Sequence, residues 1–129
     1  MRILIVDDEP IVLDALERLL RFFYDHDVFR ATDYQQAVDI MKTEPLDLVM
    51  SDYAMPGPKG TEVLTMASQL QPQAVRVMLS GTPPQEIQSM IELGLVHQCF
   101  EKPFGPSLCD ELKTLVAEKK MNPKNQQVR

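Results

Sequence analysis

Residues 2–12 read Arg2-Ile3-Leu4-Ile5-Val6-Asp7-Asp8-Glu9-Pro10-Ile11-Val12. Four successive apolar side chains with no polar alternation describe a strand buried on both faces, the pattern of a parallel sheet. The run stops abruptly at two aspartates. Pro10 follows where a helix tolerates it, in the first turn. Val12, Leu16, Leu19, Leu20 and Phe23 then recur at helical spacing on one face. The first unit is therefore a buried strand, an acidic turn and an amphipathic helix.

Working outward, the same alternation returns. Strand-like runs lie at 27–31, 46–51, 74–79 and 97–100. The first of these, Val28-Phe29 between Asp27 and Arg30, is the weakest and fits a sheet edge. Helical stripes follow each run: Tyr34, Ala37, Val38 and Met41; Val63, Leu64, Ala67 and Leu70, ended by Pro72; Ile87, Met90 and Ile91, opened by Pro83-Pro84 and closed near Gly94; and Leu108, Leu112, Leu115 and Val116, with Pro106 at the start. Thr32 and Gln35 have the capping-box spacing for the second helix. The order βαβαβαβαβα predicts an α/β fold, a doubly wound parallel sheet with right-handed crossovers and helices on both faces. Periodicity fades after residue 118, and Asn122-Pro123 follows, so residues 1–118 are read as one domain and 119–129 as a C-terminal tail or linker.

Composition narrows the class. The chain has 129 residues, 44% hydrophobic and 25% charged, which matches one globular domain with one core. No window reaches the roughly 18–20 apolar residues of a membrane span, and 3–6 is too short for a signal-peptide core. A soluble, cytoplasmic domain with no membrane partner is expected. Nineteen acidic against thirteen basic residues give −6, a poor balance for binding nucleic acid through its phosphates. The basic residues Lys119, Lys120, Lys124 and Arg129 have no acidic neighbour after Glu118, and they read as a solvated linker. Cys99 and Cys109 form no metal-type cluster and are read as buried or half-buried thiols.

In an open α/β sheet the functional crevice lies at the carboxyl ends of the strands. There the sequence places Asp7-Asp8-Glu9, Ser51-Asp52, Ser80-Gly81-Thr82 and Glu101-Lys102-Pro103. Asp7, Asp8 and Asp52 would repel one another, and the natural relief is a hard cation with oxygen ligands, for which Mg²⁺ is the best fit. Capping of the first helix would account for one of these acids but not for a second acidic strand end. Lys102 and the Ser80 hydroxyl, facing Asp52 and a metal, make a cradle for a phosphoryl group.

These residues match a family. The chain resembles the receiver (CheY-like) domain of bacterial two-component response regulators over about residues 1–118. The resemblance rests on Ile-Leu-Ile-Val-Asp-Asp-Glu-Pro at 3–10, Leu-Val-Met-Ser-Asp-Tyr-Ala-Met-Pro-Gly at 48–57, Val-Met-Leu-Ser-Gly at 77–81 and Phe-Glu-Lys-Pro-Phe at 100–104. The run after residue 51 is most similar to receivers joined to cyclic-di-nucleotide or transcriptional output domains.

The resemblance implies a flavodoxin-like sheet of order 2-1-3-4-5 and a phosphoacceptor module rather than an enzyme acting on other substrates. It implies that Asp52 takes a phosphoryl group from a sensor histidine kinase or phosphotransfer protein. Asp8, Asp52 and the backbone carbonyl of Ala54 would bind Mg²⁺, with Asp7 acting through water. Ser80 and Lys102 would contact phosphoryl oxygens, and Phe100 would be the switch aromatic. The Lys102–Pro103 bond would be cis. Output would pass through the face of the fourth helix, fifth strand and fifth helix to an effector domain or partner protein, or to a homodimer formed on phosphorylation. Pro83-Pro84 departs from the family pattern by stiffening a loop that normally moves.

Two other readings remain. A haloacid dehalogenase-type phosphatase shares the nucleophilic aspartate, metal and lysine, but Asp7-Asp8-Glu9-Pro10-Ile11 lacks its Asp-x-Asp-x-Thr/Val run. A degenerate receiver acting only as a docking module would be expected to have lost an acid, the hydroxyl or the lysine. Dinucleotide binding is set aside because no GxGxxG follows the first strand.

Overall fold

A computed structural model describes residues 1–23, 27–103 and 105–121. Phe104 of the last motif and residues 122–129 lie outside these. In chain order the elements are β1 (Arg2–Val6), α1 (Pro10–Phe23), β2 (Asp27–Ala31), α2 (Tyr34–Thr43), β3 (Leu48–Asp52), α3 (Gly60–Leu70), β4 (Val75–Ser80), α4 (Ile87–Glu92), β5 (Gln98–Glu101) and α5 (Ser107–Met121). Every strand pairing is parallel and the order is β2-β1-β3-β4-β5, with β2 at an edge.

The doubly buried strands explain the layering. Side chains alternate across a strand, so Ile3 and Ile5 of β1 enter one core cluster and Leu4 and Val6 enter the other. The first cluster is closed by Leu13, Leu16 and Leu20 of α1 and by Leu108, Leu112 and Val116 of α5. The second is closed by Ala37 and Met41 of α2, Val63, Leu64 and Ala67 of α3, and Met90 of α4. Each fully buried aliphatic side chain stabilises the fold by about 1.5–3 kcal/mol relative to exposure. One sheet thus carries two cores, and its carboxyl edge is left for the loops.

Strands β3, β4 and β5 lie one or two residues later than the runs at 46–51, 74–79 and 97–100, and three helix ends also differ from the sequence reading. The α2 cap is Asp33, not Thr32: its carboxylate accepts from the Gln36 amide at 2.8 Å, and Gln36 Oε1 accepts from the Thr32 amide and hydroxyl at 2.9 and 3.0 Å. The cap is displaced by one residue, with the N3 side chain bonded to the residue before the cap rather than to the cap's own amide, because an aspartate adjacent to the threonine is at least as good an acceptor. α4 begins at Ile87, beyond Pro83-Pro84, which lie in the preceding loop. Helix α5 runs past residue 118 to Met121, and Lys119 is 7% exposed rather than a solvated tail residue. Its ammonium donates to the carbonyls of Pro72 and Ala74 at 3.4 and 3.3 Å and lies 3.1 Å from His97 Nε2. A lysine stem can cover apolar surface while its head finds oxygen acceptors. Cys99 is half-buried and Cys109 buried, and neither is in a disulfide. Among the described residues no helix is long and apolar enough to cross a membrane.

Candidate functional site: an acidic crevice at the carboxyl edge

Asp52 is the last residue of β3, Ser80 the last of β4, and Lys102 follows β5 directly. Parallel pairing puts these ends on one edge together with the Asp7-Asp8 turn after β1. One carboxylate oxygen each from Asp7, Asp8 and Asp52 lies within 4.8 Å of the others. Asp7 is fully buried, Asp52 is 5% exposed and Asp8 is half-buried. Asp7 Oδ1 accepts from the Glu9 amide at 2.9 Å. That bond, two residues ahead of its own Cα, folds the acidic turn locally. It leaves Asp7 Oδ2 facing Lys102 Nζ at 3.4 Å, while Asp52 Oδ1 accepts from the same ammonium at 2.7 Å.

Lys102 is held there by its backbone. Its amide donates to the Ser80 carbonyl at 2.9 Å, and the Lys102–Pro103 peptide is cis. The Ser80 hydroxyl is buried and donates to the Thr82 carbonyl at 2.6 Å, not to a crevice carboxylate. Ala54 lies two residues beyond β3 in an exposed loop. Phe100 is 8% exposed, packed inward in the cluster with Leu79 and Leu108.

The charges explain what the crevice needs. Burial pushes the Asp52 carboxyl above its ordinary value; the Lys102 bond opposes this, and the Asp7 and Asp8 charges add to it. Burial pulls the Lys102 ammonium down, but its bonds and attraction to Asp52 and Asp7 prevail and hold it above its usual value. One ammonium faces three carboxylates, so negative charge remains in a site with only oxygen donors. Such a donor set fits a hard divalent cation.

Two neighbours of the site went unread in the sequence. A Cβ on Gly60, the first residue of α3, would collide with the Asp52 backbone carbonyl. Only glycine lets the helix start this close to the strand end. Tyr53 is fixed by its amide donating to the Leu79 carbonyl at 2.9 Å and by its carbonyl accepting from Gly60 at 3.1 Å. Its hydroxyl donates to Glu86 Oε1 at 2.7 Å, across to the loop before α4. A glycine ahead of an apolar helical run was the one available signal; no sequence spacing marks the Tyr53–Glu86 pair. Buried Arg76, whose guanidinium donates to the carbonyls of Ala74, Gly94 and Leu95 at 2.9–3.0 Å, was also unread. It lies near the opposite end of β4 and belongs to the fold rather than the site.

Comparison with known proteins agrees with this geometry. Two hydrogenase transcriptional regulatory proteins named HoxA are similar. That of Cupriavidus necator is 29% identical over 116 residues, 88% of this chain and 24% of its own. That of Bradyrhizobium diazoefficiens is 32% identical over 118 residues, 90% of this chain and 23% of its own. The chain therefore spans about a quarter of the length of these relatives. A crystal structure of a CheY-like response regulator receiver domain protein from Methanospirillum hungatei superposes with a TM-score of 0.86 at 27% identity, covering 94% of this chain and 97% of that one. The family model for the response regulator receiver domain matches residues 3–115. With this fold, the strand-end acids and that match, the chain belongs to the receiver domains of two-component response regulators.

Proposed function

We propose that this receiver is an active phosphoacceptor in which Asp52 is the nucleophile and a phosphohistidine on a sensor kinase or phosphotransfer protein is the donor. The observation that carries the reading is the placement of Asp52: nearly buried, 2.7 Å from Lys102 Nζ and grouped with Asp7 and Asp8. A carboxylate oxygen of Asp52 forms the new P–O bond as the donor's P–N bond breaks. Lys102, already aimed at that oxygen, offsets charge on a phosphoryl oxygen, and Ser80 offers its hydroxyl to another. Phosphoryl transfer leaves the protein little covalent work, so positioning and charge neutralisation dominate.

Mg²⁺ fits the donor set. Asp8 and Asp52, with the Ala54 carbonyl, would hold it directly and Asp7 through water, and the bound ion supplies charge neutralisation for the incoming phosphoryl oxygens. Asp7 meanwhile shares Lys102 with Asp52 and keeps the acidic turn folded.

The donor needs a place to rest. Ile11, Val12, Ala15 and Pro103 line an open, mostly apolar depression of about 480 Å³ beside Lys102, and Ile11 is 81% exposed. A helix carrying a phosphohistidine would bury its apolar surface there. The phosphorylated receiver would then act through the α4–β5–α5 face, on an effector domain C-terminal to the receiver, on a partner protein or on a second phosphorylated copy. No nucleic-acid contact and no chemistry on a second substrate is assigned to this domain, which works in the cytoplasm.

Stoichiometry tests the reading. With Mg²⁺ and a small acyl phosphate, the chain should carry no more than one phosphate, lost by its own dephosphorylation, whereas turnover of a generic phosphatase substrate beyond one phosphate per chain would identify a phosphatase instead.

A further inference from the structure

Ser80 and Glu86 are the two ends of the loop between β4 and α4. In this structure the Ser80 hydroxyl is occupied by the carbonyl of Thr82 at 2.6 Å. It can serve a phosphoryl oxygen only by leaving that carbonyl. Thr82 is followed by Pro83-Pro84, which removes two flexible φ angles, and then by Gln85 and Glu86. The far end of this stiff segment is pinned, because Glu86 accepts the Tyr53 hydroxyl at 2.7 Å. Tyr53 is itself a fixed post: it is the residue after Asp52, and its backbone is bonded to β4 and to the start of α3. Its ring packs against the same core cluster as Ile87 of α4. The loop 81–86 is thus held at Ser80 and at Glu86, and a shift at one end strains the other.

We infer that the Tyr53–Glu86 hydrogen bond is a latch on the unphosphorylated state, making Tyr53 and Glu86 positioning residues that oppose transfer of the Ser80 hydroxyl to the phosphoryl group. The inference rests on the receiver reading and adds to it a pair that reaches no phosphoryl atom. A ligand shifts a two-state equilibrium only by its differential interaction with the two states. Removing a contact made in the resting state alone therefore raises the apparent affinity for whatever selects the other state.

The probe is beryllofluoride with Mg²⁺, titrated against the whole chain and followed by amide signals. Tyr53→Phe and Glu86→Ala should each tighten apparent binding by roughly 3- to 10-fold, the range of one ordinary net hydrogen bond. In a Ser80→Ala background, which has no hydroxyl to transfer, neither change should add any tightening. Unchanged or weaker binding when Ser80 is present would overturn the latch, and so would equal tightening with and without the Ser80 hydroxyl, the mark of general loosening. Failure of the unmodified chain to bind beryllofluoride would overturn the receiver reading and the latch together, so the two failures are distinguishable. A melting transition for each variant confirms that a folded chain is being titrated.

Discussion

At Asp52 burial and the neighbouring acids win over Lys102, and the carboxyl is held above its ordinary pKa. A carboxyl with a raised folded pKa keeps its proton better in the folded chain than in the unfolded one. Its ionisation therefore costs stability as pH rises from about 4, the unperturbed value, through the folded pKa. Without metal, Asp52→Asn should melt higher than the unmodified chain at pH 7, with the gain fading towards pH 4; added Mg²⁺ should reverse the order at pH 7. A lower melting temperature for Asp52→Asn in chelator at pH 7 would contradict this balance. Gly60→Ala places a methyl against the Asp52 carbonyl. Two backbones cannot yield as a side-chain end can, so urea unfolding should show a loss of about 1–3 kcal/mol, with slower phosphorylation. Asp7, Asp8, Asp52, Ser80 and Lys102 were legible as neighbours because each lies within two residues after an apolar run. Gly60 and Tyr53 were not, because one matters for a backbone approach and the other for a hydroxyl that reaches a residue 33 positions on.

Among the elements, type and order were readable while ends were not. Leu108, Leu112 and Val116 mark a helical stripe, and Lys119, three residues on, continues that face with a buried side chain whose head finds carbonyls. An aliphatic pattern stops one turn too early. Lys119→Ala should therefore destabilise the chain by about 1–2 kcal/mol in urea unfolding, beyond the half kcal/mol or so of an ordinary surface change. Phe100 carries the same lesson for β5. Family resemblance makes it a switch ring that turns inward, and the ring is buried in one cluster with Leu79 and Leu108. Phe100→Ala should cost about 3 kcal/mol, as core aromatic truncations do, and a loss under about half a kcal/mol would place the ring outside the core. The displaced α2 cap shows a different limit: Thr32 and Asp33 are both good acceptors, and only the backbone decides between them.

For the whole molecule, parallel topology does what local sequence cannot. Asp52 and Lys102 are 50 residues apart and bond at 2.7 Å because every strand ends on the same edge. That rule gathers these strand-end residues from the sequence alone, although it does not reveal that the Ser80 hydroxyl is spent on Thr82. The same topology directs the output. Ser80 and Phe100 end β4 and lie in β5, so beryllofluoride with Mg²⁺ should perturb amides in residues 80–113 more than those of α1 and α2. Larger shifts at 10–42, away from the crevice, would place the output face elsewhere. The most direct test of the central claim is the intact mass of the chain after a small acyl phosphate and Mg²⁺, run beside Asp52→Asn and Asp8→Ala. The unmodified chain should gain one phosphate, Asp52→Asn none, and Asp8→Ala far less at equal Mg²⁺. A full phosphate on Asp52→Asn would show that the nucleophile lies elsewhere.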